Sequence, residues 1–519
     1  MDFLIGISPR KYQEKIFETC LRKNCLVVLP TGLGKTLISL MLTIERMKKF
    51  PGEKVLFLAP TKPLAEQHLS YFKKHLTELF GEIQLFTGSI NAEKRKEIWK
   101  TSDIIFSTPQ CIANDLKNNL YDLKKVCLLV EDEAHKCLKN YDYNYVVQEY
   151  KKQATNQRIL GLTASPGSDK SKIKEICKNL SVEEVEIRTR ESEDVKEYLQ
   201  ELEFEKVLLD FPEDFEKIRQ AMKKMFDDYI GELRSRKLLF GLTSKTELIN
   251  LQKKISFNLS KGKKSFNYLL GASACAQAIK LQHALELLET QTLKSFNRYL
   301  KDLNSQAMKK QSKGVIKLVS KYEFGFALKK SNNFLEKNME HPKIKKIVEI
   351  VEKEKLKNDK SKIIIFTQFR ETATTLSKEL NKIKDLKASI FIGQAKKKDV
   401  GMNQKEQRER INEFSLGKID VLCATCIGEE GLDIPEVNTV IFYEPVSSAI
   451  RAIQRAGRTA RLIKGKLIIL ITKKTRDEIH YYVSRSREKK MHSIIHSIKD
   501  DLTNNSVKNS KQKTINNYF

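Results

Sequence analysis

Two blocks of the chain share one rhythm of apolar and polar positions. Short apolar runs rich in β-branched residues alternate with stretches whose apolar residues recur every three or four positions. In the first block the runs predict strands over 55–59, 83–86, 104–107, 126–130 and 159–163, besides the one that starts at Cys25. In the second, from about Ile344, they predict strands over 363–367, 388–392, 421–425, 439–443 and 467–471. A helix striped by Ile344, Ile347, Val348 and Val351 precedes them. Such alternation implies parallel sheets covered by helices on both faces, with ligands beyond the carboxyl ends of the strands. Between Glu201 and Asn338 the rhythm fails and the segment reads as helical. Leu285, Leu288, Phe296, Tyr299 and Leu303 keep near-helical spacing, which predicts one long helix from about Gly271 to Leu303, on the order of 50 Å long. The expected fold class is α/β: two parallel-sheet domains, an inserted helical domain and a flexible C-terminal tail. The expected bounds are 1–200, 201–338, 339–490 and 491–519.

The polar motifs sit at the predicted strand ends. The run 25–36 reads Cys-Leu-Val-Val-Leu-Pro-Thr-Gly-Leu-Gly-Lys-Thr, an apolar strand entering a Gly-containing turn that opens a helix. Gly32 and Gly34 let backbone N–H groups face inward around phosphate oxygens, and the helix N-terminus adds positive potential. Lys35 would reach the β- and γ-phosphates of ATP and the Thr36 hydroxyl would ligate Mg²⁺, with Thr31 in the same turn. Leu29 stands where the strict phosphate-loop pattern has Gly. The run 128–135, Leu-Leu-Val-Glu-Asp-Glu-Ala-His, ends an apolar strand in carboxylates and a histidine. Asp132 would hold Mg²⁺, Glu133 would orient and deprotonate the attacking water, and His135 could couple the nucleotide site to the second domain. Upstream, Tyr12 and Gln13 could read an adenine by stacking and paired hydrogen bonds.

Charge changes the picture next. With 95 Lys and Arg against 66 Asp and Glu, the formal net charge is +29, which points to a polyanionic partner. Basic residues recur in the helical segment at Arg234, Arg236, Lys237, Lys253, Lys254, Lys261, Lys263 and Lys264, as expected of a nucleic-acid clamp. No stretch approaches the roughly 18 apolar residues of a membrane span, and no basic-then-apolar leader is present, so no membrane partner is expected. Nine scattered cysteines suit a reducing compartment. Cys423 and Cys426 form a lone Cys-x-x-Cys without zinc spacing elsewhere and read as core thiols.

Asp-Glu-Ala-His at 132–135, followed by Thr163-Ala-Ser-Pro166, resembles a superfamily 2 helicase core of two RecA-like domains. On that resemblance Pro60, Thr61, Lys62, Thr87, Gly88, Thr108 and Pro109 grip the nucleic-acid backbone, and Thr425 adds a contact from the second domain. Gln454 meets the γ-phosphate, Arg458 and Arg461 are arginine fingers, and Asp433 joins the nucleotide to motion. The helical insert, the Pro-Thr-Gly-Leu-Gly-Lys-Thr variant, Ala59-Pro-Thr-Lys-Pro-Leu64 and His341-Pro-Lys343 resemble Hef and the Fanconi anaemia M-type translocases. That implies ATP-driven 3′→5′ translocation on DNA and remodelling of forked or branched substrates. The Hef nuclease core has no counterpart after the motor, so nuclease activity is expected from a separate chain. The run 512–519 resembles the motif that plugs into sliding clamps such as PCNA, through Gln512, Ile515, Tyr518 and Phe519. Two rivals stand beside this reading: an RNA-dependent ATPase or RNA sensor of the same superfamily, and a clamp-recruited DNA-binding scaffold. The expected location is the cytoplasm and nucleoid of an archaeon or the nucleus of a eukaryote.

Overall fold

The structure is a computed structural model that describes residues 3–516 except 140, 242, 262–264, 394–400, 426–434, 447 and 449–463. For 79 and 503–516 only the backbone is described. The strands predicted in the first block are present within two residues: β1 (Cys25–Val28), β2 (Lys54–Leu58), β3 (Ile83–Phe86), β4 (Ile104–Ser107), β5 (Val126–Asp132) and β6 (Ile159–Thr163). With β7 (Glu184–Ile187) they form a parallel sheet in the order β3-β4-β2-β5-β6-β1-β7. Period two decides its faces: Leu26 and Val28 enter one core, Cys25 and Val27 the other. Helices cover both faces, so β1, β2, β4 and β5 have no need of polar alternation.

The second sheet combines β8 (Leu202–Leu209), β9 (Ile363–Phe366), β10 (Ala388–Phe391), β11 (Val421–Ala424), β12 (Thr439–Phe442) and β13 (Gly465–Thr472). Its order is β10-β11-β9-β12-β13-β8, again parallel. Strand β8 corrects the expected domain boundary at 201. It lies along β13 in full register from Leu202 opposite Gly465 to Leu209 opposite Thr472, so the chain enters the second sheet before the insert begins. Its acidic positions hid it. Glu203 and Glu205 pair with Lys466 on β13, at 3.3 and 2.6 Å, and a strand with one charged face breaks the apolar run that a buried strand shows.

The insert is helical, with helices Glu213–Ser235, Lys245–Ser260, Phe266–Thr290, Leu293–Met308, Lys313–Val319 and Tyr322–Glu336. They close on their own core, which includes Met222, Met225, Leu281, Leu288 and Phe296. The single long helix expected from Gly271 to Leu303 is broken at Gln291 and Thr292. Thr292 starts a new helix as N-cap, its Oγ1 accepting from Ser295 N at 3.1 Å. Gln291 turns extended, and its side chain accepts from Thr372 Oγ1 of the second domain at 2.8 Å.

A buried polar hinge surrounds that break. Lys343 Nζ donates to Thr290 O at 3.1 Å, at the carboxyl end of helix Phe266–Thr290, and lies 2.5 Å from Asp477 Oδ2; both side chains are 0 % exposed. Burial raises the Asp477 carboxyl, and the Lys343 charge pulls it back only in part. Glu340 accepts from the amides of Leu293, Lys294 and His341. His341 caps helix Pro342–Lys357, with Nδ1 3.4 Å from Lys343 N and Nε2 3.3 Å from Glu289 O.

After β13 the chain forms helix Arg476–Asn516 and returns to the first domain. Met491, Ile494, Ile495 and Ile498 form a helical stripe buried in the core beside β7. The expected start of a flexible tail at 491 therefore moves toward the C-terminus. The eight described cysteines, Cys423 among them, are buried and unpaired, and no metal-holding cluster of three ligand side chains occurs among the described residues. Cys426 lies outside the described residues, and no helix among them is long and apolar enough to cross a membrane.

Candidate active site and nucleic-acid interface

The turn after β1 has the backbone its glycines predict. Gly32 and Gly34 adopt φ of +87° and +79°, and Gly34 caps helix Lys35–Lys49. A Cβ on Gly34 would lie 2.2 Å from Gln13 Nε2 and force that side chain aside, and the left-handed angle disfavours any other residue here. Lys35 Nζ donates to Leu29 O at 2.8 Å, inside the loop it is expected to leave when phosphates bind.

The stacking role expected of Tyr12 is corrected by its packing, while Gln13 meets the phosphate loop. Tyr12 is 0 % exposed, so it offers no face for stacking, and its hydroxyl donates to Leu33 O at 2.8 Å. Gln13 uses both ends of its amide: Nε2 donates to Leu33 O at 3.1 Å and Oε1 accepts from Arg10 N at 2.8 Å. Both residues brace the phosphate loop from behind.

Strand β5 carries Asp132 to the same edge. The carboxylate is nearly buried, and Tyr143 Oη fixes the strand end by donating to Asp132 O at 2.6 Å. Burial acts to raise the Asp132 carboxyl, but His68 and then Lys35 more than offset it and hold it below the ordinary carboxylate range. Thr36 Oγ1 and Asp132 Oδ2 converge on His68, at 3.3 Å from Nδ1 and 2.9 Å from Nε2. A hydroxyl and an ionised carboxylate brought within reach of one ring fit a hard divalent cation such as Mg²⁺, which prefers oxygen ligands. Glu133 sits in the left-handed region at φ +50°, which turns its carboxylate toward His135, 3.2 Å from Nδ1.

His135 extends the site toward the rest of the chain. Its Nδ1 also lies 3.2 Å from Thr163 Oγ1, which in turn contacts the backbone of Ser165. Ser165 Oγ then meets Met491 Sδ at 2.9 Å. The loop after β6 thus touches the helix that leaves the second sheet. Sequence spacing could not find Met491, because 326 positions separate it from Ser165.

The expected backbone-gripping residues follow β2, β3 and β4, which are neighbours in the sheet. Thr61 and Thr108 stand at the N-caps of helices Lys62–His75 and Pro109–Lys117 without spending their side chains there. Lys62 and Pro109 open those helices, with Pro60 just before the first. Gly88 faces open space, while Thr87 is buried and bonded to Ser89 Oγ at 2.7 Å. Arg95, which no motif flagged, holds this loop through Thr87 O and Ile90 O while pairing with buried Asp115. Thr425 ends β11 nearly buried, its amide donating to Phe391 O. Asp433, Gln454, Arg458, Arg461, Tyr518 and Phe519 lie outside the described residues, as do the side chains of Gln512 and Ile515.

Comparison with known proteins accords with this layout. Residues 10–173 match the DEAD/DEAH box helicase family, and 342–463 match the helicase conserved C-terminal domain. Residues 214–338 match the helical bundle of putative ATP-dependent RNA helicases. The crystal structure of the Pyrococcus furiosus Hef helicase domain superposes with a TM-score of 0.70 at 41 % identity, covering 92 % of this chain and 98 % of that one. A putative ATP-dependent RNA helicase of Methanocaldococcus jannaschii is 38 % identical over 94 % of this chain and 61 % of its own length. The Fanconi anemia group M protein homolog of Mus musculus is 32 % identical over 94 % of this chain and 26 % of its own length. The chain therefore spans about three fifths or less of these curated relatives.

Proposed function

Because the chain belongs to the superfamily 2 DEAH-box helicases of the Hef and Fanconi anaemia M type, we propose that it is an ATP-driven DNA helicase acting 3′→5′ on forked or branched DNA. One observation carries the reading. The nucleotide loops follow β1, β5 and β6, the phosphate-gripping loops follow β3, β4 and β2, and all six strands share one parallel sheet. Hydroxyls, backbone amides and one Lys can hold a strand there without reading its bases.

In this reading Lys35 leaves the Leu29 carbonyl for the β- and γ-phosphates. Thr36 and Asp132 hold Mg²⁺, which when bound offsets charge on the transferring phosphoryl group. Glu133 orients the attacking water and takes its proton. Gln454, Arg458 and Arg461 supply the second domain's share, and Asp433 links it to motion. ATP then favours the closed pair of domains only through its γ-phosphate contacts, which hydrolysis removes. Gln512, Ile515, Tyr518 and Phe519 dock on a sliding clamp. Equal clamp retention by wild type, Ile515→Ala and Phe519→Ala in a pull-down would remove the clamp from this account.

Steady-state ATPase with matched single-stranded, forked and four-way DNA and their RNA equivalents tests the substrate. Strongest stimulation by forked or four-way DNA is expected. The names of the Methanocaldococcus relative and of the helical-bundle family favour RNA as the second reading, and stimulation that requires the 2′-OH would select it.

A further inference from the structure

Helix Lys62–His75 brings to the active site a residue that no motif marks. His68 bridges Thr36 and Asp132 through its two ring nitrogens. One ring nitrogen faces each partner, Nδ1 toward the Thr36 hydroxyl and Nε2 toward the Asp132 carboxylate. The ring is buried and lies against Phe57, with centroids 4.6 Å apart. In this arrangement the imidazole stands between Thr36 Oγ1 and Asp132 Oδ2 and fills the space between them.

We propose that His68 is a positioning residue that latches this pair shut, and that it has to swing out before the pair can take a divalent cation. The inference rests on the assignment of Thr36 and Asp132 to Mg²⁺. An exit exists beside the ring. A cleft of about 620 Å³ lined by Thr36, Glu66, Gln67, Tyr71 and Arg408 opens next to His68. The latch is also tied to the rest of the motor by its helix. That helix starts at the loop 60–62, assigned above to the nucleic-acid backbone, and its Glu66 pairs with Arg408 on helix Gln404–Ser415 of the second domain. Any movement of the helix that frees His68 shifts both of those contacts, so cation loading and strand grip share one rigid element.

Titration of Mn²⁺ into the full chain saturated with ADP, read by the EPR signal of free Mn²⁺, tests the latch without turnover. His68→Leu keeps an apolar filler against Phe57 and cannot bridge. It is expected to bind Mn²⁺ about tenfold more tightly than wild type, the order expected for losing a competing hydrogen bond to a charged group. His68→Ala should tighten binding in the same direction. Unchanged affinity in both variants overturns the latch, and weaker affinity overturns it by making the imidazole a support for the cation. Asp132→Asn separates the two assignments: Mn²⁺ affinity indifferent to that change defeats the metal site itself. A single-stranded oligonucleotide should tighten Mn²⁺ binding in wild type and leave His68→Leu unmoved; an equal response in both overturns the link to strand grip.

Discussion

Two buried histidines sit in two buried polar clusters, and their partners differ in kind. His341, in the hinge between the insert and the second sheet, meets the backbone: the amide of Lys343 and the carbonyl of Glu289. His68, in the active site, meets the side chains of Thr36 and Asp132. The same ring serves both places. Backbone partners of the hinge have no other ligand to find, so that cluster is a fixed joint. Side-chain partners at the active site are groups a nucleotide and its cation would claim, as is the Leu29 carbonyl that holds Lys35. A satisfied polar cluster can therefore be a structural pin or a set of placeholders, and the partners tell which.

The largest effect expected lies in the hinge. Lys343→Met leaves Asp477 buried with its charge partner gone, and should cost about 3–5 kcal/mol by chemical denaturation. A loss under about 1 kcal/mol would mean that the pair is not the joint it resembles. At the active site the same kind of change should act on rate. Lys35→Ala should lower ATP turnover by at least about a hundredfold while sparing much of the DNA affinity, as measured by coupled ATPase and filter binding. Retained turnover would refute the phosphate-loop assignment.

His341 then sharpens the contrast through pH. Burial, then the Lys343 charge, holds its pKa well below the ordinary 6.5, so the folded chain keeps the ring neutral. The unfolded chain takes up a proton as pH falls through that value. The ring's contribution is therefore complete above about pH 6.5 and lost below it, by roughly 1.4 kcal/mol per pH unit. His341→Gln should flatten the stability profile between about pH 6.5 and 5. A profile unchanged by the substitution would exclude a neutral, pinned ring. The smallest effect concerns the helix break. Thr292→Ala removes the N-cap of helix Leu293–Met308 and should cost about 1 kcal/mol in the melting curve, with ATP turnover little changed.

The motor core was legible from local pattern because its strands are buried on both faces. Continuous apolar runs such as 104–107 and 363–366 announce themselves, and their ends carry the motifs. Strands β7 and β8 were not, because these two alternate apolar with acidic residues and the acids find partners only in the folded sheet, as Glu205 finds Lys466. The spacing of Leu285, Leu288 and Phe296 was real on both sides of residue 291, but periodicity cannot register a break that Thr292 and Gln291 impose through a cap and a contact with Thr372.

By itself the sequence determined the two-sheet α/β plan, the inserted helices, the phosphate loop and the acidic strand end, because each rests on residues within one turn or one strand of each other. Tertiary structure alone decided that Tyr12 and Gln13 brace the loop, that His68 spans Thr36 and Asp132, and that Met491 reaches Ser165. The reason is distance along the chain. These partners stand from 20 to 326 positions apart, and only the packing of separate helices against one sheet edge brings their atoms within hydrogen-bond range.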